Sequence, residues 1–452
     1  METVLIILLA VICTVLPFWI GQRHGVLRLV SPMHLLCYFC LFGFLLKVAV
    51  YAAAPDLAFY RRFVANPWGD LLGALYLSVF IMMLCLGYRL ACGRTRHAND
   101  TGAARLVAAG ITRRGTLFVV ALAVALGTML SILHARGATG IDTGLLTALN
   151  STKQINVNHD GVGATLAGIK SFFVVPKCAF VLLLAHGIAT GARGAQMQAA
   201  LLGALLVLIA LISGDRFELI ELMIFALATH MILGGWIRLR TVVILGVSAV
   251  AMAGLGAYMT QLRLGEGALW QALILQIVSS TYFLDINVAI MVTDRVTPSM
   301  LLFGESYTWW RFGWIPRAFW LDKPAIDLGM FFKRDIMQIY TGGAFNVTGP
   351  GEAFINFSWA GIGVGFVLGW IYRKGEVLLL SPLWVMRYGS FLLYPMLFYP
   401  FIQATLQSSF SAFIVGAAAQ LVLITMMIAV FVTRYALWVP RQSGIRGAAH
   451  VA

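Results

Sequence analysis

The feature that most constrains this chain is a succession of apolar runs, each close to the length of a membrane span. Crossing the ~30 Å hydrocarbon core of a bilayer takes about 20 helical residues. Runs of that kind lie at approximately 3–21, 33–54, 71–92, 116–135, 167–190, 197–213, 215–235, 241–260, 352–372, 386–403 and 410–434. In lipid every backbone polar group must be satisfied within the segment, so these runs predict helices. The expected fold is an all-α polytopic membrane protein with about eleven transmembrane helices. With 60% hydrophobic and 11% charged residues, the chain is too apolar for a soluble domain. Its formal charge of +14 is spread over short loops rather than gathered in one exposed run, which excludes nucleic acid as the natural partner and reads as topology signals.

The arginines set an orientation. With the N-terminus outside, the inner loops carry Arg23 and Arg28, then Arg89, Arg94, Arg96, Arg105, Arg113 and Arg114, then Arg193, Arg238 and Arg240, then Arg373, Lys374 and Arg387, with Arg434, Arg441 and Arg446 in the tail. This satisfies the positive-inside rule. It gives a single integral domain over 1–439, a large outward loop of helical segments over 261–351, and an inner tail over 440–452. The run Ala268 to Ile290 contains Gln271, Gln276, Asp285 and Asn287 and is read as a helix lying at the interface or dipping in, because a crossing there would put the later basic loops outside. The first run has an acidic residue where a signal peptide has a basic region, so it is expected to be a retained span.

Three lysines fall within apolar runs, where a charge is expensive unless it finds a partner, an anion or water: Lys47, Lys170 and Lys177. Lys170 and Lys177 are two helical turns apart on one face, suited either to snorkelling or to lining the outer half of a cavity. The turn Ser213-Gly214-Asp215-Arg216 leads into Glu218 and Glu221, which points either to a structural ion pair or to an arginine that holds an anion beside a carboxylate. The six cysteines all lie in or beside apolar runs, and Cys37-Tyr38-Phe39-Cys40 reads as packing. The eight histidines are dispersed without zinc spacing, and there is no phosphate-binding glycine loop, so neither a metal nor any other cofactor is expected.

The outward stretch from Arg263 to Glu352 breaks the charge rule. It carries Arg263, Arg295, Arg311, Arg317, Lys323, Lys333 and Arg334, with Asp327 and Glu352 among its acids and Trp309, Trp310, Trp314 and Trp320 among its aromatics. Guanidinium and ammonium groups suit phosphate oxygens. Indole rings suit either a head-group belt or the apolar face of a sugar.

Two parts of this pattern resemble a known family. Ser213-Gly214-Asp215-Arg216 resembles the S-G-x-R turn of bacterial O-antigen polymerases and ligases. Ile315-Pro316-Arg317 through Lys323-Pro324, followed by Gly351-Glu352-Ala353-Phe354-Ile355-Asn356-Phe357, resembles the P-R…K-P and G-E…N-F signatures of Wzy-type oligosaccharide repeat-unit polymerases. The resemblance covers the second half of the chain; Ser358 stands where the family commonly has glycine, and no R-x10-G spacing surrounds Arg317.

The resemblance implies a GT-C-like, metal-independent glycosyltransferase of the bacterial inner membrane, with a periplasmic N-terminus and a cytoplasmic C-terminus. It would join undecaprenyl-diphosphate-linked oligosaccharides among membrane lipids, working beside a flippase and a chain-length regulator. On that reading Arg216, Arg263, Arg311, Arg317, Lys170 and Lys177 bind diphosphate. Glu352, Asp327 and Glu218, in that order, are candidate catalytic bases, and Trp310, Trp314 and Trp320 are sugar platforms. An O-antigen ligase, which uses the same donor, and a transporter of lipid-linked glycans are the competing expectations.

Overall fold

The computed structural model describes residues 2–92, 101–137, 172–213, 216–235, 283–315, 320, 326–340 and 344–433, with isolated positions between 246 and 278. Its principal helices are α1 (Glu2–His24), α2 (Pro32–Ala53, with a π turn at Leu41–Leu45), α3 (Gly69–Leu90), α4 (Thr101–Ala109), α5 (Arg114–Gly137), α6 (Val174–Thr190), α7 (Arg193–Ser213), α8 (Arg216–Ile232), α9 (Ile286–Arg295), α10 (Gly349–Phe357), α11 (Ile362–Leu379), α12 (Tyr399–Gln407) and α13 (Phe410–Phe431). Among the described residues there is no strand, only an isolated bridge between Ile111 and Val432.

Among the described residues seven helices are long and apolar enough to cross a membrane: α1, α2, α3, the Arg114–Leu133 part of α5, the Arg193–Ile212 part of α7, the continuous Gly349–Leu379 pair of α10 and α11, and α13. The described residues are therefore all-helical and polytopic in character, and seven of the eleven expected spans appear among them at full length. The described parts of the fifth and seventh runs, α6 and α8, are 17 residues each. The run at 241–260 lies almost wholly outside the described residues. The run at 386–403 is not one helix: Pro395 and Pro400 lack the backbone N–H a helix needs, and the chain passes through a π turn at Tyr394–Phe398 before α12 begins.

The core is organised on α3 and α11, which run parallel. Gly365 lies against the Phe80 carbonyl and Gly369 against that of Leu84, while from the other side Gly87 meets the carbonyl of Phe366. A Cβ at Gly369 would sit 1.9 Å from the Leu84 oxygen. Without side chains at these positions the two backbones approach directly, as small residues spaced by four permit in lipid.

The helix α9 is inserted rather than laid on a surface. Asp285 caps it by accepting from Asn287 N at 3.0 Å, and Ile286 through Val292 are buried. A Cβ on Gly73 of α3 would lie 2.5 Å from the Ile290 Cα, so α9 crosses α3 in direct backbone contact. The end of the run 268–290 is thus packed within the helix bundle, its apolar face covered by α3. At its far end Asp294 accepts from Ala65 N and Asn66 N, each at 3.0 Å, which ties α9 to the loop between α2 and α3. The chain then turns by 112° into short turns at Pro298–Met300, Glu305–Thr308 and Trp310–Gly313.

Among the described residues two ion pairs are enclosed in the bundle. Lys47 Nζ donates to Asp285 at 2.8 Å with both side chains fully buried. Arg373 donates to Glu376 at 2.9 Å, and Glu376 also accepts from Val26 N at 3.0 Å and from the Tyr88 hydroxyl. Arg373 was expected in an inner loop; instead α11 continues to Leu379 and buries it, which is tolerable because Glu376 one turn on neutralises its charge.

Candidate functional site

The G-E…N-F segment folds as α10, and its two polar side chains act as fasteners. Thr348 precedes the helix in extended conformation and Pro350 occupies its first turn, where a missing N–H costs nothing. Glu352 is buried. One of its oxygens accepts from Ser306 Oγ at 2.7 Å and the other from Phe410 N at 2.8 Å. Phe410 is the first residue of α13, whose opening N–H groups have no partner within their own helix, so Glu352 caps a neighbouring helix.

One turn later Asn356 donates through Nδ2 to Ser306 Oγ and to the Glu352 carbonyl, both at 2.8 Å, and accepts from Gly304 N at 2.9 Å. Ser411 Oγ closes the group by donating to the Ser306 carbonyl. The turn at 302–306 is further held by backbone bonds from Leu302 N to Ile355 O and from Phe303 N to Asn356 O. Glu352, Asn356 and Ser306 therefore join the outward segment, α10 and α13 at one corner.

Asp327 reaches the same corner from the other side. Its Oδ1 accepts from Gly329 N at 2.9 Å and from Ser409 Oγ at 3.2 Å. Ser409 immediately precedes Phe410, so Asp327 and Glu352 flank the start of α13. Asp327 is half-buried, and its Oδ2 takes no hydrogen bond from the described residues.

The aromatic part of the outward segment also packs on α13. A Cβ on Gly313 would meet the Val415 side chain at 2.2 Å, which places the Trp310–Gly313 turn one to two turns beyond the two carboxylates. Trp310 and Trp314 are 39% and 47% exposed. Arg311 is exposed with its guanidinium 5.1 Å from the Phe312 ring centre, and Trp320 sets its edge against Phe312 at 5.8 Å.

A second charged group lies on α6 and α8. Lys177 donates to Glu221 at 2.9 Å, with each side chain 15% exposed, and its ammonium lies 5.0 Å from the Phe173 ring centre. Glu218, half-buried, is one turn before Glu221 on α8. Arg216 is the first residue of α8. Lys170, Arg263 and Arg317 lie outside the described residues.

The structure thus brings Asp327 and Glu352 together with Arg311, Trp310, Trp314 and Trp320 about one end of α13. Ser306, Ser409 and Ser411 were not anticipated. The trace of the last two in the sequence is the Ser408-Ser409-Phe410-Ser411 run before an apolar stretch, a helix-start signal. Among the described residues no group of His, Cys, Asp and Glu side chains is arranged to hold a metal ion.

Comparison with protein-family models, with curated proteins and with solved structures returned no match.

Proposed function

We propose that this protein is a membrane glycosyltransferase that extends a glycan carried on a lipid diphosphate, in the manner of an oligosaccharide repeat-unit polymerase, on the outward face of the bacterial inner membrane. The observation that carries this reading is the convergence of Asp327 and Glu352, 25 residues apart in sequence, on the first turn of α13, beside the exposed Arg311 and tryptophans.

Transfer breaks the bond between the anomeric carbon of the donor and its diphosphate oxygen, and forms one to an acceptor hydroxyl. The leaving diphosphate gains negative charge that the exposed Arg311, with Arg216, Arg263, Arg317 and Lys170, is suited to stabilise, whereas Lys177 is already paired with Glu221. The acceptor's proton needs a carboxylate with a lone pair turned to the substrate. Glu352 has both oxygens engaged and is enclosed, so it serves the architecture of the corner. Asp327 keeps one oxygen clear of hydrogen bonds from the described residues and is the better base, with Glu218 of α8 ranked behind it.

The test is complementation of a deletion strain. Asp327→Asn is expected to leave the protein in the membrane at wild-type level while polymer falls by about 10²-fold or more, with single-repeat capped lipid accumulating. Unchanged polymer would refute the assignment. Accumulation of unlinked long polymer in the deletion strain would instead identify a ligase, and intact glycan lipid trapped on the inner leaflet a transporter.

A further inference from the structure

The helix α12 carries Tyr399, Gln403 and Gln407 at intervals of four, which puts them on one face along about 12 Å of helix. Each presents a buried polar atom without a hydrogen-bond partner among the described residues: the Tyr399 hydroxyl, Gln403 Oε1 and Gln407 Nε2. This is not the general condition of the helix. On the same short helix Thr405 Oγ1 bonds the carbonyls of Phe401 and Ile402 and the hydroxyl of Tyr372.

The face has chemistry at both ends. Tyr399 sets its ring edge-on to Phe225 of α8 at 6.0 Å and lies within electrostatic reach of Glu221, the partner of Lys177. At the other end the Gln407 carbonyl accepts from Asn346 Nδ2 at 2.6 Å, and two residues further Ser409 bonds Asp327. The unpartnered atoms therefore run from the Lys177–Glu221 pair to the proposed base.

Native proteins rarely leave buried donors and acceptors unused, since each forfeits its hydration. A face that offers a hydroxyl, an amide oxygen and an amide N–H, with no charge of its own, suits a ligand whose groups both donate and accept. An anion would find too few donors, and a hydrocarbon chain would leave all three groups unsatisfied. We propose that the Tyr399–Gln403–Gln407 face is a subsite for hydroxyl groups, occupied by sugar residues of the lipid-linked glycan; the identification of the sugar rests on the function proposed above, and ordered water is the other source of the same chemistry. The three atoms are covered in this structure, so entry requires α12 to shift against α8. The π turn at Tyr394–Phe398, with Pro395 and Pro400 on either side of Tyr399, is where the span departs from regular α-helical hydrogen bonding and can give.

The experiment uses the full-length protein in lipid nanodiscs with Tyr399→Phe, Gln403→Met and Gln407→Met, singly and combined. The probe is undecaprenyl-diphosphate-linked glycan extracted from a strain lacking the protein. Without the probe, every variant is expected to melt at or above the wild-type temperature, because the removed polar atoms have no protein partner. Probe binding, followed by tryptophan fluorescence, is expected to weaken about tenfold or more in the triple variant, and the KM for elongation to rise with kcat within about twofold.

Lowered melting in the single variants would show protein partners for these atoms and overturn the proposal. Raised melting with unchanged binding and KM would assign the face to ordered water and overturn the sugar subsite. Wild-type protein that binds the probe without lengthening it would refute the polymerase reading alone, since the binding measurement still decides the subsite. Wild-type protein that does not bind it would refute both.

Discussion

The charges inside the bundle and two cations of its outward segment, Arg311 and Lys333, are used in opposite ways, while Arg295 and Arg334 pair with the adjacent Asp294 and Asp335. Lys47 and Arg373 are each enclosed within the bundle, each with a carboxylate below 3 Å: Asp285 for one and Glu376 for the other. Arg311 is exposed, and Lys333 half-buried, with no carboxylate within ion-pair distance among the described residues. An isolated charge in an apolar interior costs several kcal/mol, so the first kind can exist only as pairs. The second kind costs little where it is, and it remains available to an anion. The contrast separates cations that hold the protein together from cations that can act on a substrate.

The sharpest way to break the comparison is at Lys47. Lys47→Ala leaves Asp285 buried and unpaired and is expected to cost about 3–5 kcal/mol, read as loss of folded protein from the membrane. Replacing both partners, Lys47→Met with Asp285→Asn, is expected to recover most of that loss. If Lys47→Ala were tolerated, the enclosed pair would not be structural.

Next is the helix contact that fixes the frame. Gly369→Val drives a branched side chain into the Leu84 carbonyl and is expected to cost about 1–3 kcal/mol or more, lowering the melting temperature in detergent. Gly363, whose Cβ would meet nothing within 4 Å, is the control, and Gly363→Ala is expected to be close to neutral.

Glu352 tests where the outward corner belongs in this scheme. Glu352→Gln keeps one acceptor, for Phe410 N, and turns an amide donor toward Ser306 Oγ, and is expected to cost about 1 kcal/mol, with activity reduced in step with protein level. Activity lost at full protein level would move Glu352 from the structural class to the catalytic one. Arg311→Ala is expected to have the smallest effect on stability, with no measurable change in melting, while polymer yield falls. An unchanged yield would remove Arg311 from the substrate site.

How much of this was legible beforehand differs by element. The runs that became α1, α2, α3, α5, α7, α10–α11 and α13 could be read because length and hydropathy alone decide whether a helix can span. The run at 386–403 could not, since its composition is apolar throughout and only the backbone shows that Pro395 and Pro400 leave a π turn and a short helix. Glu352, Asp327 and the tryptophans were singled out by residue type and position. That Glu352 spends both oxygens on Ser306 and Phe410 while Asp327 keeps one clear was beyond the sequence, because the partners lie tens of residues away.

Taken alone, the order of residues determined that this chain is helical, apolar and suited to cross a membrane repeatedly, since those properties follow from local composition over about 20 residues. It also marked Lys47 and the outward basic stretch as anomalies. Only the tertiary structure decided which anomalies are answered: Asp285 reaches Lys47 across 238 positions of sequence, and Asp327 meets Ser409 across 82. Hydrophobicity is a property of a segment, whereas the neutralisation of a charge depends on which distant side chain the packing of helices sets beside it.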